Sequence, residues 1–216
     1  GSLEAALGET ESARREFLSA LRFQPGYTEA RLNLGSLLAS KGDVAGATAE
    51  YREALRWQTN SVAARLNLAD LLAMHGQGGE ALGLYEQAVA LEPENPIARY
   101  NLGRLLASQN RATEAVANFR AALRQERYLP PHDLGAIHFE LGNALAGLGN
   151  DREALGEFSE AVRLLPGFAD VHLNYGAALA RSRRFTDAAA EFRETLRLRP
   201  NDERAQRMLD QAQRSY

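Results

Sequence analysis

The residues with most chemistry to offer are four histidines: His75, His132, His138 and His172. Imidazole serves as acid, base or metal ligand near neutral pH, so its neighbours in sequence decide what it can do. His138 and His172 lie 34 residues apart, with no cysteine and no evident carboxylate partner beside them. Packing between equivalent positions of neighbouring segments is therefore expected of them, not metal binding. Cysteine is absent, which excludes thiol chemistry, disulfides and Cys-ligated zinc. No Gly-x-Ser-x-Gly elbow or His-Glu-x-x-His helix occurs. Gly76-Gln77-Gly78-Gly79 has no strand before it and no Gly-Lys-Ser/Thr after it, so it reads as a turn and not as a phosphate loop. Aspartates and glutamates scatter over helix starts and polar faces, where dipole complementarity and solubility account for them. The expectation is a chain without catalytic residues, metal or cofactor.

What positions side chains here is a repeat. Leu34-Gly35 returns as Leu68-Ala69, Leu102-Gly103, Leu141-Gly142 and Tyr175-Gly176, at a spacing of 34 except between the third and fourth copies. Ala47, Ala81, Ala115, Ala154 and Ala188 follow in the same register. So do the aromatics Tyr51, Tyr85, Phe119, Phe158 and Phe192. Ala54, Ala88, Ala122, Ala161 and Thr195 make a further set, and Pro25, Pro93, Pro166 and Pro200 end units. Within a unit, Ala30, Leu34, Leu37 and Leu38 share one helical face. Lys41-Gly42-Asp43 stops that helix and starts the next. His75-Gly76-Gln77 and Leu148-Gly149-Asn150 repeat the turn. No stretch alternates with period two, so strands are not expected.

This pattern resembles the tetratricopeptide-repeat family: a small residue at position 8 of a 34-residue unit, Ala at 20, an aromatic at 24, Ala at 27 and Pro at 32. The resemblance implies an all-α, right-handed α-solenoid of antiparallel helix pairs. Its expected segments are a partial repeat at 1–26, repeats at 28–61, 62–95 and 96–129, a short insertion at 130–134, repeats at 135–168 and 169–202, and a capping helix at 203–216. Position 4, often tryptophan in the family, is Arg31, Arg65, Arg99, His138 and His172. Small residues let paired helices approach closely, and the aromatic fills the space beside them.

The resemblance also places function in a concave groove lined by the first helices. Position 6 there supplies Asn33, Asn67, Asn101 and Asn174, interrupted by Glu140. Position 5 adds Leu66, Tyr100 and Phe139, and position 9 adds Arg104 and Asn143. An amide both donates and accepts, so spaced asparagines can pair with the backbone of an extended peptide whatever its sequence. The arrangement looks like the asparagine ladder in the tetratricopeptide arm of O-linked N-acetylglucosamine transferase. Chaperone-tail binding, which in the family uses lysines at positions 2 and 5, is not expected. Lys41, the single lysine, lies in a turn, and position 5 is apolar or aromatic. Charge changes along the chain, from Glu29 and Asp70 to Arg104, Arg181, Arg204 and Arg207.

The chain has 216 residues, 45% of them hydrophobic and 25% charged, with net charge −3. That balance suits a folded domain or repeat array and offers no basic footprint for nucleic acid. No apolar run is long enough to enter a membrane. Cytoplasm is the default compartment. Arginine in place of lysine, with abundant Ala, Leu and Gly, suggests a GC-rich, bacterial coding sequence. The expected function is a scaffold for a protein or extended peptide. The alternatives are a non-catalytic arm of a larger enzyme such as a glycosyltransferase, and a self-associating module. The start aligns with the second half of a first helix, predicting a turn at Gly8-Glu9 and a further helix to Phe23. Pro130-Pro131 should separate the third and fourth full repeats, with Asp133 placed to cap the next helix. A last helix from Asp202 to Ser215, with Ala205, Met208, Leu209 and Ala212 on its apolar stripe, should close the array.

Overall fold

The computed structural model describes the backbone from Ser2 to Ser215 and side chains from Glu11 onward. The described residues are helices and turns, with no strand among them. They fall into two compact units, Gly1–Pro93 and Glu94–Tyr216. The first contains α1 (Ser2–Phe23), α2 (Thr28–Ser40), α3 (Val44–Trp57), α4 (Val62–Met74) and α5 (Gly78–Leu91). The second contains α6 (Pro96–Ser108), α7 (Ala112–Leu123), α8 (Pro131–Gly147), α9 (Asp151–Leu164), α10 (Ala169–Arg181), α11 (Phe185–Leu198) and α12 (Glu203–Gln213). Hairpins pair α2 with α3, α4 with α5, α6 with α7, α8 with α9 and α10 with α11, and α12 packs on α11.

Each hairpin turns in the same way. The second residue past the first helix adopts a positive φ: Gly42 at 79°, Gly76 at 77° and Gly149 at 79°, but also Asn110 at 61° and Arg183 at 62°. The amide beyond it reaches back to a carbonyl of the last turn, as in Asp43 N–H to Leu38 (2.9 Å), Gln77 to Leu72 (2.9 Å) and Arg184 to Leu179 (2.9 Å). These bonds satisfy carbonyls that a helix end otherwise leaves open. Starts are capped where the sequence provides a cap: the Asp43 side chain accepts from Gly46 N–H, Ser61 from Ala64, Asn95 from Ala98 and Asp202 from Ala205.

Inside each hairpin the recurring small residue meets the recurring aromatic. A methyl on Gly35 would stand 2.5 Å from the Tyr51 ring; on Gly103, 2.7 Å from Phe119; on Gly142, 2.8 Å from Phe158; on Gly176, 2.6 Å from Phe192. The ring therefore fills the space a side chain would need, at the packing density of protein interiors. The alanines at positions 20 and 27 are wholly buried, as are Phe119, Phe158 and Phe192. In α12, Ala205, Leu209 and Ala212 are buried, packed with Leu179, Ala188 and Phe192.

Two expectations fail. The break predicted at Gly8-Glu9 is absent, because α1 runs unbroken from Ser2 to Phe23. A helical glycine costs only about 1 kcal/mol, less than leaving the backbone groups of two further helix ends open. Asp133 does not cap α8 either. Pro130 occupies the cap position, Pro131 begins the helix and Asp133 lies in its first turn. Proline suits that first turn, where its missing N–H is not needed. The extra residues are absorbed by a 3-10 turn at Glu126–Tyr128 and by a longer first helix, α8, of 17 residues against 13 in α6.

Candidate functional site

The candidate residues sit on the first helix of each hairpin. Asn33 is exposed, whereas Asn67, Asn101 and Asn174 are half-buried. In the first unit Leu66 is 8% exposed, so it packs inward and offers little surface. Position 9 there is claimed by the aromatic behind it. The hydroxyls of Ser36 and Tyr51 share a hydrogen bond of 3.1 Å, and the Tyr85 hydroxyl donates to Asp70. Burial pushes the Tyr51 phenol up, partly offset by its bond to Ser36 and reinforced by the Asp70 charge.

In the second unit the buried aromatics are phenylalanines, and position 9 is left for other partners. Asn174 donates through Nδ2 to Oδ1 of Asn143 at 2.8 Å, joining α10 to α8. Two predicted site residues thus meet side chain to side chain. The Arg104 guanidinium lies over the Tyr100 ring, 5.5 Å from its centroid. Burial raises the Tyr100 phenol, with Arg104 opposing and Glu140 and Asp133 adding to the rise. Tyr100 and Phe139 also lean on the buried rings: Tyr100 is 6.1 Å from Phe119 and Phe139 is 6.2 Å from Phe158.

The residues at position 4 form a second, unforeseen constellation. Arg31 pairs with Glu50 at 2.8 Å and donates to the Pro25 carbonyl at 2.9 Å. Arg65 reaches the Gln87 amide and the Thr59 carbonyl. Arg99 reaches Asn118. His138 Nδ1 lies 2.7 Å from Glu157, and His172 Nδ1 lies 2.7 Å from Glu191. His172 Nε2 is 3.0 Å from the Pro166 carbonyl. A carboxylate and a carbonyl both accept, so the doubly protonated imidazole is the form that makes both bonds. The bond to Glu191 raises the His172 pKa above its ordinary 6.5, burial works against it, and Pro166 and Glu194 support the rise. This corrects one expectation: His138 and His172 do have carboxylate partners, each within its own hairpin, while His172 also reaches the Pro166 carbonyl of the preceding repeat. The available signal was the shared offset: Arg31 to Glu50, His138 to Glu157 and His172 to Glu191 span the same number of residues. Among the described residues no group of His, Asp and Glu is arranged to hold a metal ion, and no helix is long and apolar enough to cross a membrane.

Helical hairpins closed by a small residue against an aromatic are matched by a family model described as tetratricopeptide repeat, over residues 1–64, 66–130 and 139–203. The chain belongs to the tetratricopeptide-repeat family. Among solved structures, this tetratricopeptide-repeat chain is similar to the Cut9–Hcn1 hetero-tetramer of APC/C (TM-score 0.78, 21% identity, 95% of this chain and 40% of that one). It thus spans less than half of that relative. It is also similar to YrrB, described as a tetratricopeptide-repeat protein with an unusual peptide-binding site (TM-score 0.72, 23% identity, 88% and 96% covered). A third is PilF of Pseudomonas aeruginosa (TM-score 0.77, 21% identity, 87% and 83% covered). At these identities the likeness is one of fold. Among curated proteins, none matches the sequence. The fold is therefore the all-α tetratricopeptide-repeat solenoid.

Proposed function

We propose that this chain is a non-catalytic scaffold that holds an extended segment of a partner protein against the first helices of its hairpins. Repeat folds of this kind present wide surfaces built from equivalent positions, and a tetratricopeptide-repeat protein of similar fold is described as having a peptide-binding site. The observation that carries the reading is the Asn143–Asn174 pair. Its bond of 2.8 Å uses one donor and one acceptor, leaving each amide with hydrogen-bonding capacity for a peptide backbone. Asn33 and Asn67 in the first unit and Asn101 in the second supply amides at the equivalent repeat position, and in the second unit Tyr100 and Arg104 share α6 with Asn101 while Phe139 shares α8 with Asn143.

The test is a peptide array probed with the purified chain and with Asn143→Ala/Asn174→Ala and Asn67→Ala variants. Peptides bound by the wild type should lose at least tenfold in affinity to the double variant, with helical content unchanged. Equal affinity would defeat the asparagine mechanism.

A further inference from the structure

Past the asparagine pair, α10, α11 and α12 line an open-sided cavity of about 440 Å³, bordered by Ala177, Arg181, Phe185, Arg204, Met208 and Gln211 among others. Asn174, Ala177 and Arg181 follow one another at helical spacing on one face of α10, so the cavity continues the surface that carries the amides. On α12, Arg204, Met208 and Gln211 line up in the same way. The small side chains of Ala177 and Ala180 leave the space open, and Met208 with the aromatic rings makes an apolar floor. Its size lies within the range of pockets that take ligands, about 300–1,000 Å³.

The charge of this cavity is one-sided. Its lining contains two arginines and no carboxylate. Arg181 uses Nε to pair with Asp151 at 3.0 Å, which leaves its terminal N–H groups available. Arg204 forms no ion pair or hydrogen bond among the described residues. The neighbouring acids are already committed: Asp170 to Arg199, Asp187 to Arg184, Glu191 to His172, Glu194 to Arg197 and Glu203 to Arg207. Asp202 caps α12, and Asp210 accepts from Gln206. Asp210 keeps its charge but lies outside the lining, and none of these carboxylates is paired with Arg204.

We infer that this cavity docks an acidic stretch of a partner protein, seating a large apolar side chain on the Met208 floor and a flanking carboxylate on Arg204 and Arg181. The inference rests on the peptide-holding reading above and adds the chemistry of the segment held. A guanidinium fork matches a carboxylate in shape as well as charge, and the apolar floor supplies burial that charge alone does not.

The probe is a fluorescein-labelled, amidated peptide of sequence Gly-Asp-Asp-Phe-Asp-Asp-Gly, titrated with the intact chain and followed by anisotropy. Saturable binding is expected, weakened at least tenfold by Arg204→Glu, by Asn in place of Asp in the peptide, and by Ala in place of Phe. Arg193→Glu makes the same change of net charge at an exposed α11 position outside the lining and should leave binding within twofold. Far-ultraviolet circular dichroism confirms that each variant folds. No saturable binding up to millimolar protein, or equal losses from Arg204→Glu and Arg193→Glu, overturns the cavity proposal. Loss of binding in Asn143→Ala/Asn174→Ala but not in Arg204→Glu also overturns it, while the peptide-holding reading survives.

Discussion

The two units solve one packing problem with different chemistry at its edges. In the first, the buried aromatics are Tyr51 and Tyr85, whose hydroxyls engage Ser36 and Asp70. In the second, Phe119, Phe158 and Phe192 fill the same place with no polar edge. One oxygen atom thus decides whether position 9 finds its hydrogen-bond partner on the aromatic of its own hairpin. Where it is missing, Asn143 turns to Asn174 and Arg104 to Tyr100. The bridge at position 4 differs too. Arg31 and Arg65 keep their charge at any ordinary pH. The second unit uses Arg99, then His138 and His172, and the bond to Glu191 raises the His172 pKa above its ordinary 6.5 without making its charge permanent.

The largest effect should come from what the units share. Gly35→Leu, Gly103→Leu and Gly142→Leu each force a side chain into space held by a ring, at a cost of about 1–3 kcal/mol or more. A melting temperature unchanged in any of them would break the register on which the comparison stands.

Next comes the bridge. His172 has a folded pKa raised above its unfolded 6.5, so its contribution is complete below that value and is lost as pH climbs through the folded one. Denaturant midpoints read by circular dichroism should fall as pH rises above about 6.5, and His172→Gln should flatten that fall. At pH 6 the same variant should cost about 1.5–3 kcal/mol, the scale of a charge-assisted hydrogen bond. Trp57, the single tryptophan, lies in the first unit, and midpoints read from its fluorescence should stay flat over this range. A slope shared equally by both signals would erase the contrast between arginine and histidine bridges.

Tyr51→Phe sharpens the comparison at position 9. It should cost about 0.5–1.5 kcal/mol by removing the hydroxyl bond to Ser36, measured by denaturant melts. No loss at all would mean the hydroxyl is incidental. The smallest effect belongs to the turns. Arg183 holds a φ of 62° where Gly42, Gly76 and Gly149 sit at equivalent turns. Arg183→Gly should stabilise the second unit by about 1 kcal/mol through relief of left-handed strain, seen as a raised midpoint.

Much of this was legible because it is local. Gly35, Gly103, Gly142 and Gly176 announced the close contact with the aromatic sixteen residues on, since only a missing side chain leaves room there. Gly42, Gly76 and Gly149 announced their turns. Asn110 and Arg183 carry the same turn without glycine, because packing of the flanking helices outweighs their backbone cost. The candidate site was less legible. A position in a repeat shows which face a residue occupies, but not whether that face is open: at position 6, Asn33 is exposed while Asn67 is half-buried.

By itself, then, the sequence determined the helical hairpins, their turns and the small-against-aromatic core, because these depend on periodicity and side-chain size within one repeat. Only the tertiary structure decided which polar groups meet. The Asn143–Asn174 bond, the His172–Glu191 bridge and the cavity between α10 and α12 join residues distant in sequence, and their geometry is set by how helices lie against one another. Hydrogen bonds tolerate only a few tenths of an ångström, a precision that composition and spacing do not carry.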